Sequence, residues 1–275
     1  MKQVVFAGCG FLGDTAAGLF FNAGWSVLGL CASEESAANL AGRPYPVMAV
    51  DISKPFSAPP DWGRPNLVIH CASSGKGGPE AYRAVYRDGL SHLIAAFQPE
   101  RVIFTGSTSV YSQADGSWVT EESPAEPDRE TGRILLEAEG IALDTGGIVA
   151  RLAGIYGPRR SVLLRKFLDG TALLEAGGHR WINQIHRDDA AAALLHLADP
   201  VNATGIYNVC DDTPATQAEV YQWIASFCQR ELPPSGPADM NRKRGWTSKR
   251  ISNAKLRSTG WKPVYPSYLA ALPGL

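Results

Sequence analysis

The sequence predicts an α/β protein with a doubly wound, mostly parallel sheet and a smaller C-terminal lobe. Three observations carry this. Short apolar runs alternate with amphipathic stretches through the first half of the chain. A glycine-rich turn, Gly8-Cys9-Gly10-Phe11-Leu12-Gly13, joins the first run to the first amphipathic stretch. The length of 275 residues, with 45% hydrophobic content, is enough for one large α/β unit plus a lobe.

Taken in order, the strands are Gln3–Ala7, Trp25–Cys31, Tyr45–Val50, Leu67–Ala72, Arg101–Thr105 and Ile148–Leu152. The helices between them are Phe11–Asn22, Glu34–Leu40, Glu80–Phe97 and Asp128–Asp144. Right-handed crossovers place every strand C-terminus on one edge, and ligands bind there where the strand order reverses. The second part reads as a turn at Gly157-Pro158-Arg159-Arg160, helices at Val162–Leu168, Asp188–Leu197 and Gln217–Gln229, a strand at Ile206–Val209 and a Pro-rich linker ending at Pro237. The expected division is 1–157 for the nucleotide-binding core and 158–275 for the lobe, with residues around 185–212 packing back on the core.

The glycine turn is a G-x-G-x-x-G sequence set between a strand and a helix. Gly8 allows the tight turn, Gly10 lets a pyrophosphate approach the backbone, and Gly13 lets helix and strand pack closely. Phe11 and Leu12 complete the turn and count with the cofactor-binding residues. The phosphates then meet the free N–H groups and positive dipole end of the helix. This context predicts dinucleotide binding.

Other classes are disfavoured. Net charge is −1, so no global field attracts nucleic acid or a membrane surface. No apolar run approaches the roughly 18–20 residues of a membrane span, and Val4–Ala7 is too short for a signal-peptide core, which points to the cytoplasm. The five cysteines form no C-x-x-C pair and read as reduced, structural residues, with Cys71 placed to border a ligand. The five histidines are not spaced as metal ligands. The basic stretch of Arg242, Lys243, Arg244, Lys249, Arg250, Lys255, Arg257 and Lys262 reads as solvated surface or a site for a phosphorylated substrate.

Several ordered signatures go further: Val50-Asp51-Ile52, Val68-Ile69-His70-Cys71-Ala72, Phe104-Thr105-Gly106-Ser107-Thr108-Ser109-Val110-Tyr111, Arg151 to Pro158, Ile185-His186-Arg187-Asp188-Asp189, and Ile206 to Val209. Over nearly its whole length the chain resembles the extended short-chain dehydrogenase/reductases, the group of sugar-nucleotide epimerases and dehydratases, and within it the atypical YeeZ-like branch. The resemblance implies a Rossmann fold and an NAD(P) site. Asp51 would accept a hydrogen bond from the adenine amino group, and Ile52 would pack on the ring. Ala72 and Ser73 would lie beside the nicotinamide ribose. Leu152 and Ile155 would border the nicotinamide. It also implies pairing into a homodimer through Glu80–Phe97 and Asp128–Asp144.

The departures fall on the chemistry. Ala7 stands where the family usually has the first glycine of G-x-x-G-x-x-G. The catalytic Tyr-x-x-x-Lys aligns with Thr131 and Leu135, and the assisting asparagine with Tyr86. Ser107 retains the Ser/Thr member. A threonine hydroxyl is too weak an acid to replace a phenol near pH 7. Tyr111, Tyr82, Tyr86 and Lys76 are candidate replacements, Tyr111 first, each with a packing or solvated reading beside it; His186 reads as a structural junction.

At the end of the second strand, Cys31-Ala32-Ser33 carries no carboxylate to hold both ribose hydroxyls. NADP is therefore preferred to NAD, with Ser33 as a hydrogen-bond donor and Arg43 within possible reach of a 2′-phosphate. The functional expectation is an oxidoreductase or epimerase on a carbonyl or sugar-like small molecule, phosphorylated or carboxylated, held by cations such as Arg159, Arg160, Arg165, Arg180 and Arg250. The alternative is a non-catalytic dinucleotide-binding sensor or regulatory module.

Overall fold

A computed structural model describes residues 1–75, 77–240 and 245–275. Seven strands form one sheet: β1 (Gln3–Ala7), β2 (Ser26–Cys31), β3 (Val47–Ala49), β4 (Leu67–His70), β5 (Arg101–Ser107), β6 (Ile148–Leu152) and β7 (Gly205–Val209). Their order is β7-β6-β5-β4-β1-β2-β3. The pairs β1–β2, β1–β4, β2–β3 and β4–β5 are parallel. The order reverses between β1 and β4, so the switch point lies beside the glycine turn that follows β1. β1 and β4 are buried along almost their whole length, which is why both read as continuous apolar runs rather than alternating ones.

Helix α1 (Gly13–Asn22) returns along β1 and buries Ala16, Ala17 and Phe20; α2 (Glu34–Ala38) follows β2. Val5, Ala7, Leu28, Leu30, Ile52, Val68, Leu93 and Phe97 form one core cluster. The segment after β4 differs from the single helix expected. It begins as α3 (Pro79–Tyr82), widens to a π-helical turn over Arg83–Asp88, and continues as α4 (Gly89–Phe97). Gln98 ends it in the left-handed region, at φ 46°. Helix α5 (Glu130–Asp144) buries Ile134, Leu135, Ala138 and Ala142.

The chain divides into two compact units that interleave in sequence. The first comprises residues 1–107, 130–151 and 191–207; the second comprises 108–129, 152–190 and 208–275. The chain therefore passes between units several times, and residues 191–207 belong to the first. In the second unit, α6 (Val162–Leu168) and α8 (Gln217–Cys228) surround a core of Tyr156, Phe167, Val220, Tyr221, Ile224 and Tyr268. A capping box starts α8: the Thr216 hydroxyl accepts from Glu219 N, and the Glu219 carboxylate accepts from Thr216 N at 2.7 Å. Helix α7 (Arg187–Leu197) carries Asp189, whose carboxylate accepts from Val264 N at 2.7 Å and Tyr265 N at 2.9 Å, holding the C-terminal segment.

Candidate functional site

The turn after β1 has the geometry that its glycines suggested. Gly8 adopts φ +98°, and a Cβ there would stand 2.5 Å from the backbone of Ala72. A Cβ on Gly13 would stand 2.1 Å from the carbonyl oxygen of Gly8. Neither position admits a side chain. Gly10 differs: a Cβ there meets nothing within 4 Å. Gly8 and Gly13 thus close the turn against β4 and against itself, and Gly10 leaves open space over the backbone. The N-cap residue of α1, Leu12, supplies no side-chain cap. A helix start without such a cap favours anion binding by its N–H groups.

Backbone hydrogen bonds lock the neighbouring strand ends to this turn. Gly8 N and Cys9 N donate to Leu30 O, Cys71 N to Ala7 O at 2.7 Å, and Val50 N to Cys31 O at 2.7 Å. Gly8, Gly10, Gly13, Cys71 and Ala72 are thereby brought together. Burial pushes the Cys71 thiol up to about 12, so it is neutral at pH 7. Ser73 is exposed, and its hydroxyl accepts from Gly75 N at 3.3 Å.

The residues proposed around the adenosine are already engaged. Ser33 caps α2, accepting from Ser36 N at 3.3 Å. Arg43 donates to Asp14 Oδ1 at 2.7 Å through Nε and also pairs with Oδ2. This carboxylate raises the arginine's pKa. Tyr45 donates to the same carboxylate at 3.2 Å. Asp14 sits in the first turn of α1, where an unpaired negative charge would oppose a bound phosphate; Arg43 neutralises it. Arg43 is thus committed within the protein rather than held free for a 2′-phosphate. Asp51 accepts from the Ser53 hydroxyl at 2.6 Å and pairs with Lys54 at 3.2 Å, which together hold its carboxyl below the usual range. Ile52 is buried in the core, and its carbonyl accepts from His92 Nδ1 at 2.9 Å.

Ser107 ends β5 and is buried. The residue just before it is tightly set, because a Cβ on Gly106 would stand 2.9 Å from Glu139 Oε1 and would push that carboxylate aside. Glu139 forms a buried pair with Arg151, with Nη2–Oε2 at 2.6 Å and Nε within 3.1 Å of both oxygens. Thr131 and Leu135 are both buried on α5, one turn apart. No phenol or ammonium occupies either position.

Tyr111 lies in the second unit and is 0% exposed. Its hydroxyl donates to Asn208 Oδ1 at 2.9 Å, and its carbonyl accepts from Lys249 Nζ at 2.7 Å. Its phenol is thus hydrogen-bonded to a buried amide, the arrangement expected of the packing role weighed beside the proton-donor reading. Lys249 is 4% exposed. Burial, with Arg180 nearby, pushes its ammonium from the ordinary 10.5 down to about 7. Two of the expected anion-binding arginines are also occupied. Arg250 lies over the rings of Trp118 and Trp181 and donates to Gly116 O at 2.8 Å, and Arg180 lies over Trp246. Leu152 is buried and Ile155 half-buried; both belong to the second unit. His186 packs against Tyr265 in a tilted arrangement, with ring centroids 4.0 Å apart, and its Nδ1 accepts from Asp188 N at 3.2 Å. Lys76, Arg242, Lys243 and Arg244 lie outside the described residues. Among the described residues, no cluster of His, Cys, Asp and Glu has the arrangement of a metal site, and no helix is long and apolar enough to cross a membrane.

The family model for NAD dependent epimerases/dehydratases matches residues 4–210, which span the glycine turn, Ser107 and all of the sheet but its first residue. The chain belongs to the NAD dependent epimerase/dehydratase family. Membership supports NAD(P) binding. Among relatives of this epimerase/dehydratase chain is protein YeeZ of Escherichia coli K12, 28% identical over 281 residues and covering 98% of each chain. A candidate NAD-dependent epimerase/dehydratase from Methylobacillus flagellatus is similar at 26% identity, with TM-score 0.80 over 100% of this chain and 97% of that one. The UDP-glucose 4-epimerase of Thermotoga maritima, solved with UDP-glucose, shares the fold at TM-score 0.82 and 16% identity, over 98% of this chain and 96% of that one.

His70 and the π-helical turn were missed by the sequence reading. His70 is fully buried at the end of β4 and donates from Nε2 to Val85 O at 2.9 Å. A polar residue ending an apolar strand was the available signal. For the turn there was none, since its spacing of apolar residues is that of an ordinary helix.

Proposed function

We propose that this chain is an NADP(H)- or NAD(H)-dependent oxidoreductase or epimerase acting on a small carbonyl or sugar-like molecule. The observation that carries the reading is the cradle: two glycines are forced by close backbone approach, while the third faces open space at an uncapped helix start. Such a site is of use only to a ligand whose phosphates come close to the backbone. NADP is preferred, because β2 ends in Cys31-Ala32-Ser33 with no carboxylate to repel a 2′-phosphate. Ser33 would serve that phosphate by giving up its cap of α2. UDP-glucose in the Thermotoga maritima structure supports a sugar-like substrate by fold analogy.

In this reading Gly8, Gly10, Phe11, Leu12 and Gly13 hold the pyrophosphate, and Asp51 and Ile52 meet the adenine. Cys71, Ala72 and Ser73 line the nicotinamide end. Ser107 donates a hydrogen bond to the substrate oxygen. A bound dinucleotide would supply or accept the hydride.

Calorimetric titration with NAD, NADH, NADP and NADPH tests the proposal. At least one should bind, with NADP or NADPH tighter than its unphosphorylated counterpart. Gly10→Glu should abolish binding while leaving the fold intact, because its side chain enters open space and brings a negative charge. No binding by any of the four would end the proposal. Binding without turnover of any carbonyl would favour the sensor or regulatory reading, which the Thr131 and Leu135 replacements also favour.

A further inference from the structure

A carbonyl reduced at this site needs a proton for its oxygen, and position 131 offers only a threonine hydroxyl. The first unit, which holds the cradle and Ser107, contains four tyrosines. Tyr45 donates to Asp14 and Tyr207 to Ala203 O at 2.9 Å. Tyr82 is 2% exposed, with its ring 4.9 Å from that of Tyr86. Tyr86 stands apart. Its ring is buried against His70, Tyr82 and Phe104, yet among the described residues no hydrogen bond holds its hydroxyl. Nor is that hydroxyl one of the sealed, partnerless polar atoms of this unit, which are His70 Nδ1 and Ser74 Oγ.

The backbone under Tyr86 is specialised. It lies within the π-helical turn Arg83–Asp88, a widening that recurs at functional sites and leaves carbonyls without their usual partners. His70 donates to one carbonyl of the turn, Val85 O, at 2.9 Å. His70 ends β4 in register with Ala7 of β1 and Phe104 of β5, so the turn is anchored to the strand ends beside the cradle. Arg83 reaches Glu130 at 3.4 Å and Glu137 at 3.3 Å, and Arg87 reaches Glu137 at 3.6 Å. These contacts fasten the turn to α5, the helix that carries Thr131 and Leu135.

We propose that Tyr86 is the catalytic proton donor of this chain, presented by the π-helical turn in place of the phenol that position 131 lacks. The inference rests on the oxidoreductase reading above. In the reductive direction the substrate carbon gains a hydride, with its electron pair, from the reduced dinucleotide. A C–H bond forms, the C=O π pair moves onto oxygen, and that oxygen takes the Tyr86 proton. The carbonyl is reduced to an alcohol, the nicotinamide is oxidised, and water reprotonates the phenolate. A phenol is a far better acid than the threonine hydroxyl and needs no lysine to remain protonated at pH 7.

The test uses the full-length chain with NADPH and NADH and a panel of activated carbonyl probes: phenanthrenequinone, nitrobenzaldehyde and glyoxal. Tyr86→Phe should bind dinucleotide within about two-fold of wild type and reduce the probes at least roughly a hundred-fold more slowly. Tyr207→Phe, at a phenol bound to Ala203 O, should retain the rate. Should Tyr86→Phe fail to fold, 3-fluorotyrosine at position 86 keeps the ring and lowers the phenol's pKa. The pH profile of probe reduction should then move to lower pH, a shift that a packing residue would not produce. Probe reduction by Tyr86→Phe near the wild-type rate, or an unmoved profile, overturns the proposal and leaves the oxidoreductase reading standing. Wild-type chain that binds dinucleotide yet reduces no probe overturns both the Tyr86 role and the oxidoreductase reading, leaving only the dinucleotide site.

Discussion

The glycine cradle and the Tyr111 neighbourhood treat polar groups in opposite ways. At the cradle, Gly10 faces open space and the start of α1 has no side-chain cap. Around Tyr111, the hydroxyl donates to Asn208, the carbonyl accepts from Lys249, and the donors of Asn208 are engaged in turn: its backbone N–H donates to Glu121 at 2.7 Å and its side-chain amide to Ser252 O at 3.2 Å. Both regions contain residue types that do chemistry. Only the first leaves them available to a ligand. Residue identity near a signature is thus a weaker guide to function than whether the polar atom already has a partner.

The largest effect should come from closing the cradle. Gly13→Val puts side-chain atoms onto the Gly8 carbonyl, and we expect a loss of about 3 kcal/mol or more in urea unfolding. Near-wild-type stability would show that the turn is not closed as described.

Next comes Lys249. Its folded pKa of about 7 lies below the ordinary 10.5, so between those values the unfolded chain binds the extra proton. Stability contributed through this group therefore rises with pH from about 7 toward 10.5 and is constant below 7. Between pH 7 and 9.5 the gain should be on the order of 3 kcal/mol. Lys249→Met should remove that slope, and equal slopes in the two proteins would show that the amine is not buried as charged groups resist being.

Tyr111→Phe should cost about 1–2 kcal/mol, because it strands the Asn208 oxygen, with dinucleotide affinity unchanged. Unchanged stability with turnover lost would restore Tyr111 as the proton donor. The smallest effect is at Arg43. Replacing it by Ala leaves Asp14 uncompensated at the start of α1, and dinucleotides should bind roughly two- to five-fold more weakly, an effect that Asp14→Asn should reverse. A loss confined to the 2′-phosphorylated forms would instead show that Arg43 lets go of Asp14 to meet the ligand.

Much of this was legible in the sequence. β1 and β6 have the bounds that apolar runs gave them, and the glycine spacing implied the closed turn, because both follow from local sterics and burial. What was not legible depends on partners distant in sequence. Tyr111 finds Asn208 97 residues away, and Lys249 finds Tyr111 138 residues away. The widened turn was hidden because Tyr82 and Tyr86 keep helix-like spacing; what permits the widening is His70, on another element.

A π-helical turn amounts to one residue more than an α-helix would use over the same span. The segment from Pro79 to Phe97 therefore holds two phases at once, with α4 keeping one set of faces and Tyr86 lying in the offset between them. Removing a single residue at Arg87 or Asp88, between Tyr86 and α4, would let the helix run on as a regular one. Everything upstream of the deletion would then turn by about 100° relative to α4. The phenol would lose its place against His70 and Phe104 although no residue touching a ligand had been changed. In this chain a length change of one in a surface helix is as consequential as a point mutation in the site, and relatives with and without the extra residue should divide accordingly in whether they reduce carbonyls.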